Sequence, residues 1–236
     1  MSSASAVHAS RAPRGDLGGH TLTRADLVDE AVAWPVTGER VLGAGAFTAL
    51  VQDDITAPDG STLQREYLRH PGAVGVIALD DRGRVALVRQ YRHAVRHRLI
   101  EPPAGLLDVD GEAYVLAAQR ELAEEVGLRA ETWQVLVDLF TTPGIIGESL
   151  RIFLARDLHP THAPDGFVKE GEEAEMELSW APLADLVEAV LAGDLHNPTT
   201  VSGVLAAWAA QLAGDDFASL RPADAPWPAR DALRGS

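Results

Sequence analysis

The segment Ala113 to Val126 constrains the fold more than any other, because it sets an apolar stripe beside an acidic one at helical spacing. With Glu121 placed at about 0° and about 100° allowed per residue, Glu125 falls near ~40° and Glu124 near ~300°. Val115, Ala118, Leu122 and Val126 then fall between about 60° and about 140°. Gly127 follows at the position where a helix ends in a left-handed turn. The carboxylates flank the buried stripe and lie near the helix C-terminus, where the macrodipole disfavours negative charge. Two such charges ~4 Å apart repel by about 4 kcal/mol at an effective dielectric of about 20. A solvated acidic face would oppose the stripe instead. A divalent cation would relieve the repulsion, and hard carboxylate oxygens select Mg²⁺, Mn²⁺ or Ca²⁺.

Around this helix the chain reads as strands before and after, so the class is mixed α/β. Ala57-Pro58-Asp59-Gly60-Ser61 predicts a turn, and Thr62 to Arg69 alternates as a strand does. Gly72 to Leu79 and Arg84 to Gln90 are apolar runs joined by Asp80-Asp81-Arg82-Gly83, which predicts a hairpin buried on both faces. Strands are expected at 133–140 and 150–155, and helices near 183–192 and 199–213. Four stretches follow: a flexible tail (1–21), an N-terminal β extension (22–71), a main domain (72–214), and an extended C-terminal segment (215–236) holding Pro222, Pro226 and Pro228.

Composition narrows the chemistry. Twenty Lys and Arg against 35 Asp and Glu leave a net charge of −15, which disfavours a nucleic-acid polymer as partner. With no cysteine, disulfides, thiolate zinc sites, iron–sulfur clusters and a Cys nucleophile are excluded. No apolar stretch approaches the ~20 residues a bilayer requires, and the N-terminus lacks an apolar signal core. No membrane partner is expected, and the cytoplasm is the expected compartment.

Gly105, Glu112, Arg120, Glu121, Leu122, Glu124, Glu125, Gly127 and Leu128 resemble the Nudix box, G-x5-E-x7-R-E-U-x-E-E-x-G-U with U aliphatic. From Glu112 to Leu128 every fixed position is in register; Leu106 to Gly111 is one residue longer than the pattern. Glu101-Pro102-Pro103-Ala104-Gly105, Gln90-Tyr91-Arg92, Pro143 and Gly144 to Glu148 resemble the ADP-ribose pyrophosphatase branch. The resemblance implies a Nudix α/β/α sandwich with an N-terminal β-strand extension. It also implies Mg²⁺-dependent hydrolysis of ADP-ribose to AMP and ribose 5-phosphate, with Mn²⁺ as a substitute. The alternatives are another nucleoside diphosphate derivative (an ADP-sugar, GDP-mannose or an oxidised nucleotide), or a non-catalytic ADP-ribose sensor. The complete set of glutamates speaks against the sensor.

Carried over by position, Glu121, Glu125 and Glu124 with the carbonyl of Ala104 would hold the metal. Gly105, Glu112, Arg120 and Gly127 would be structural: Arg120 orients the acids through Glu124, and Glu112 sits at the helix start where the dipole favours its charge. Arg92, Tyr91, Glu101, Gly144 and Glu148 would bind substrate, Arg92 because a planar guanidinium suits bidentate phosphate contact. Trp34 and Tyr91 offer rings for stacking, while His93 and His97 read as surface residues. The base is expected on the loop His159 to Glu177, at Glu173 or Glu172, with Glu124 and then His93 next in order. The apolar hairpin within Val41 to Leu68 implies a homodimer, since a lone two-stranded hairpin is marginal.

Overall fold

The computed structural model describes residues 19–162 and 176–234, and the chain divides into two compact units, 1–32 and 33–236. In the first, a single 3₁₀ turn, Arg24–Asp26, is closed by a reciprocal cap in which the Asp26 carboxylate accepts from the backbone N–H and hydroxyl of Thr23. The second holds every strand among the described residues.

Its centre is a five-stranded sheet. The strands are β4 (Ala73–Ala78), β7 (Ala104–Leu106), β8 (Leu128–Phe140), β10 (Ser149–Pro160) and β12 (Arg221–Pro222), in the order β12-β8-β10-β4-β7. β10 runs parallel to β4 and antiparallel to β8. Successive side chains of a strand point to opposite faces, and both faces here are apolar. Val74, Val76, Ala78, Phe153 and Ala155 meet Ala117, Ala118, Leu122 and Val126 of helix α1 (Tyr114–Val126). Ile77, Leu79, Ile152 and Leu154 meet α2 (Leu183–Ala192) and α3 (Pro198–Leu212) through Leu183, Leu186, Val204 and Ala207. Helices on two faces of one sheet make the α/β/α sandwich that the sequence implies.

Two smaller sheets complete the unit. β1 (Val36–Ala44), β2 (Ala49–Thr56) and β3 (Thr62–Arg69) form an antiparallel meander, with the short β9 (Ile146–Gly147) parallel to β3. β5 (Arg84–Arg92) lies between β6 (His97–Glu101) and β11 (Ser179–Pro182).

Two expectations are corrected. The runs flanking Asp80 to Gly83 are strands buried on both faces, yet they are not a paired hairpin. β4 is bonded on its two edges by β10 and β7, β5 by β6 and β11, and only the bridge Leu79–Val85 joins the two runs. The C-terminal segment is not simply extended: β12 pairs with β8, α4 (Pro228–Arg234) follows, and Trp227 is buried. Prolines there start a helix and cap an edge, the positions at which a missing N–H costs nothing. The indole also covers a charge, for the guanidinium carbon of buried Arg151 stands 4.6 Å from its ring. Arg151 forks onto Asp138 at 2.7 and 2.9 Å and donates to the carbonyls of Ala225 and Pro226.

Candidate active site

The acidic stripe of α1 lies against β7, which β4 holds in register through Gly75–Ala104, Val74–Gly105 and Ala73–Leu106. Burying the apolar stripe therefore carries Glu121 and Glu125 in with it, to 9% and 7% exposure. Glu125 Oε2 accepts the Ala104 N–H at 3.2 Å. Gly105 is glycine for a steric reason, since a Cβ there would stand 2.1–2.5 Å from the Glu121 carboxyl atoms. Gly127 closes the helix at φ +64°, its N–H donating to the carbonyls of Leu122 and Ala123.

Arg120 gathers the remaining charge. Its guanidinium bonds both Glu112 oxygens at 3.1 and 3.3 Å and Glu121 Oε1 at 2.5 Å, and stands 3.6 Å from Glu124 Oε2. The bond to Glu112 first, against the cost of burial, and then the charges of Glu121, Glu112 and Glu124 raise its pKa above the ordinary arginine value. Glu112 stands just before the N-cap Ala113, and its side-chain partner is Arg120. The extra residue of Leu106 to Gly111 is absorbed in a turn. Glu112 N–H reaches the Val109 carbonyl at 3.3 Å while Gly111 takes φ +79°.

Of the substrate-binding candidates, Arg92 and Glu101 are each other's partners. Arg92 Nε and Nη2 fork onto the two oxygens of Glu101, which is 2% exposed, at 3.0 and 2.6 Å. Tyr91 is exposed, its hydroxyl 3.2 Å from His93 Nδ1. Gly144 lies exposed in the turn before β9, and Glu148 accepts a hydrogen bond from the Thr141 hydroxyl. Glu148 Oε1 also stands 3.5 Å from Nδ1 of His70, whose pKa is lowered, by burial first and also by Arg230, against the opposing charge of Glu148. Glu172 and Glu173 lie outside the described residues.

Sequence reasoning missed His70, Ser149 and Arg230, which stand behind Glu148. The one signal for them was a tryptophan and an arginine inside a proline-rich terminus.

Among the described residues no three Asp, Glu or His side chains already stand as a metal-ligating group, and Arg120 offsets only part of the charge of Glu112, Glu121 and Glu124. The donor chemistry nonetheless fits a hard divalent cation: two buried carboxylates and a third beside them, against a backbone strand that a glycine opens to them.

Residues 69–200 match the model of the NUDIX domain. The chain is 46% identical over 186 residues to the ADP-ribose pyrophosphatase of Mycobacterium tuberculosis, covering 79% of this chain and 87% of that protein. It is 31% identical to the ADP-ribose pyrophosphatase of Bacillus subtilis, covering 68% and 85%. A crystal structure of an ADP compounds hydrolase superposes with a TM-score of 0.64 at 23% identity, over 80% of this chain and all of that one, which bears on the fold alone. Among the described residues no helix is long and apolar enough to cross a membrane. With the box in register, its acids gathered on one arginine and a domain match over more than half its length, the chain belongs to the Nudix hydrolase family, in the branch resembling ADP-ribose pyrophosphatases.

Proposed function

We propose that this Nudix hydrolase cleaves ADP-ribose to AMP and ribose 5-phosphate with Mg²⁺ as its metal. The observation that carries the reading is the 46% identity to an ADP-ribose pyrophosphatase over 79% of the chain; the gathered glutamates of α1 supply the chemistry. Glu121, Glu125 and Glu124 with the Ala104 carbonyl would hold the cation, with Mn²⁺ as a substitute. Bound there, the metal would supply charge neutralisation at the diphosphate and acidify a water for attack.

Arg120 holds Glu121 and Glu124 in orientation and lowers the repulsion between them. A carboxylate, Glu173 or Glu172, takes the proton from water as its oxygen attacks phosphorus in line. The bond from that phosphorus to the bridging oxygen breaks, and the phosphomonoester leaves with the electron pair. Arg92, oriented by Glu101, contacts a phosphate oxygen; Tyr91, Gly144 and Glu148 line the substrate. The active form is a homodimer built through the N-terminal sheet, and a cysteine-free enzyme of nucleoside diphosphate derivatives is assigned to the cytoplasm.

The test is a product screen over ADP-ribose, other ADP-sugars, GDP-mannose and oxidised nucleotides, with and without Mg²⁺. AMP and ribose 5-phosphate released fastest from ADP-ribose is the expected outcome. Tight ADP-ribose binding without cleavage under any divalent metal would make the protein a sensor, and faster cleavage of another compound would reassign the substrate.

A further inference from the structure

Helix α4 brings a guanidinium into the seam behind Glu148. Arg230 is 2% exposed, its Nη1 donating to Ser149 Oγ and its Nη2 to the Pro71 carbonyl, each at 2.6 Å. Gly72 makes the space: at φ +90° it occupies the left-handed region, and a Cβ on it would stand 2.0 Å from Nη1. The guanidinium carbon lies 5.5 Å from the rings of both Tyr114 and Trp227.

Each of the two anchored segments leads to the site. Gly72 accepts the Leu107 N–H at 3.0 Å, which fixes the loop that leaves β7 immediately after Ala104 and Gly105. The Gly72 N–H donates to His70 Nδ1 at 3.0 Å, and that ring faces Glu148 Oε1. Ser149 is the residue after Glu148 and is wholly buried. A side chain that only filled this volume would be cheaper uncharged, because taking a guanidinium out of water is costly. Here Nη1 and Nη2 tie a linker to a strand end, while the buried Nε has no hydrogen-bond partner.

We infer that Arg230 is a positioning residue for the hydrolytic site, fixing through Ser149 and Pro71 the carboxylate of Glu148 and, through Gly72 and Leu107, the end of strand β7 that carries Ala104. This rests on the roles given to Glu148 and Ala104 under the proposed function. The two hydrogen bonds set where those groups stand and leave the chemical step alone.

The experiment compares the full-length protein with Ser149→Ala, Arg230→Gln and Arg230→Lys in KM for ADP-ribose, kcat, the Mg²⁺ concentration for half-maximal rate, and Tm. Loss of a charge-assisted bond in Arg230→Gln should raise KM and the Mg²⁺ requirement about tenfold, while kcat at saturation stays within about twofold. Arg230→Lys should recover part of the loss, since an ammonium reaches one acceptor but lacks the fork that spans two. A purely structural role would lower Tm and leave both constants at wild-type values, and that result overturns the inference. Should the Arg230 variants not fold, Ser149→Ala decides by the same criterion. Should the wild-type protein prefer another compound of the panel, the ADP-ribose reading fails and the same comparison is made with that compound. If nothing is cleaved, Mn²⁺ affinity by electron paramagnetic resonance decides: weaker in Arg230→Gln supports positioning, equal overturns it.

Discussion

Glu121 and Glu125 are buried carboxylates held by one arginine and one backbone N–H, an arrangement that core packing alone does not require. Glu121→Gln and Glu125→Gln are each expected to lower turnover by orders of magnitude with the fold intact, because charge is lost and volume is not. Near-normal rates in both at limiting Mg²⁺ would reduce the stripe to an acidic surface. Glu172→Gln or Glu173→Gln should lose turnover at unchanged ADP-ribose affinity while Glu170→Gln behaves as wild type. Full turnover in both across pH would move the search for the base to Glu124 and then His93. His70 gives a pH effect with a definite sign. Its folded pKa lies below the ordinary 6.5, so the unfolded chain binds its proton first. Stability contributed by neutral His70 is thus fully present above 6.5 and lost as pH falls below it through the lower folded value, and His70→Asn should flatten this part of a urea-monitored pH profile. The box was legible because a fixed spacing on one helix needs no tertiary information. The Arg92–Glu101 fork was not, since it depends on the register of β5 against β6, which sets Arg92 opposite His97 and Val88 opposite Glu101.

At the scale of elements, α1 was readable to within a residue because its apolar stripe and terminal glycine both mark it. The strands β8 and β10 extend well beyond the apolar runs that announced them, to 13 and 12 residues, since polar outer ends such as Arg129 and His159 still pair across the sheet. The C-terminal segment was the least legible. Prolines signal a break in local structure, and nothing in the local pattern says that Trp227 fills a place between two arginines on the central sheet. Trp227→Ala should therefore cost about 3–5 kcal/mol of unfolding free energy, the range for a large buried aromatic. The midpoint of a denaturant titration measures it. A loss as small as that of an exposed residue would mean that the segment does not dock in solution.

For the molecule as a whole, the expected homodimer rests on the N-terminal meander. β1 is an edge strand of its sheet, and Val41 and Leu42, at a break in its register with β2, are 56% and 49% exposed. Val36 and Phe47 add further exposed apolar surface at the two ends of the strand. A long edge with exposed apolar side chains is a template for another chain unless something covers it. In the proposed homodimer a second copy of this chain would supply both the strand and the surface. Each copy carries a net charge of −15, so association works against repulsion that salt screens. Sedimentation at micromolar protein should give a dimer, tighter at higher salt. Leu42→Lys should shift it toward monomer, because a charge on an edge strand disfavours pairing. In the same measurement, KM for ADP-ribose should rise with dissociation if the meander of one copy helps to bind the substrate of the other. A wild-type monomer with full activity would remove the dimer, and a dissociated Leu42→Lys with unchanged KM would confine the partner's role to stability.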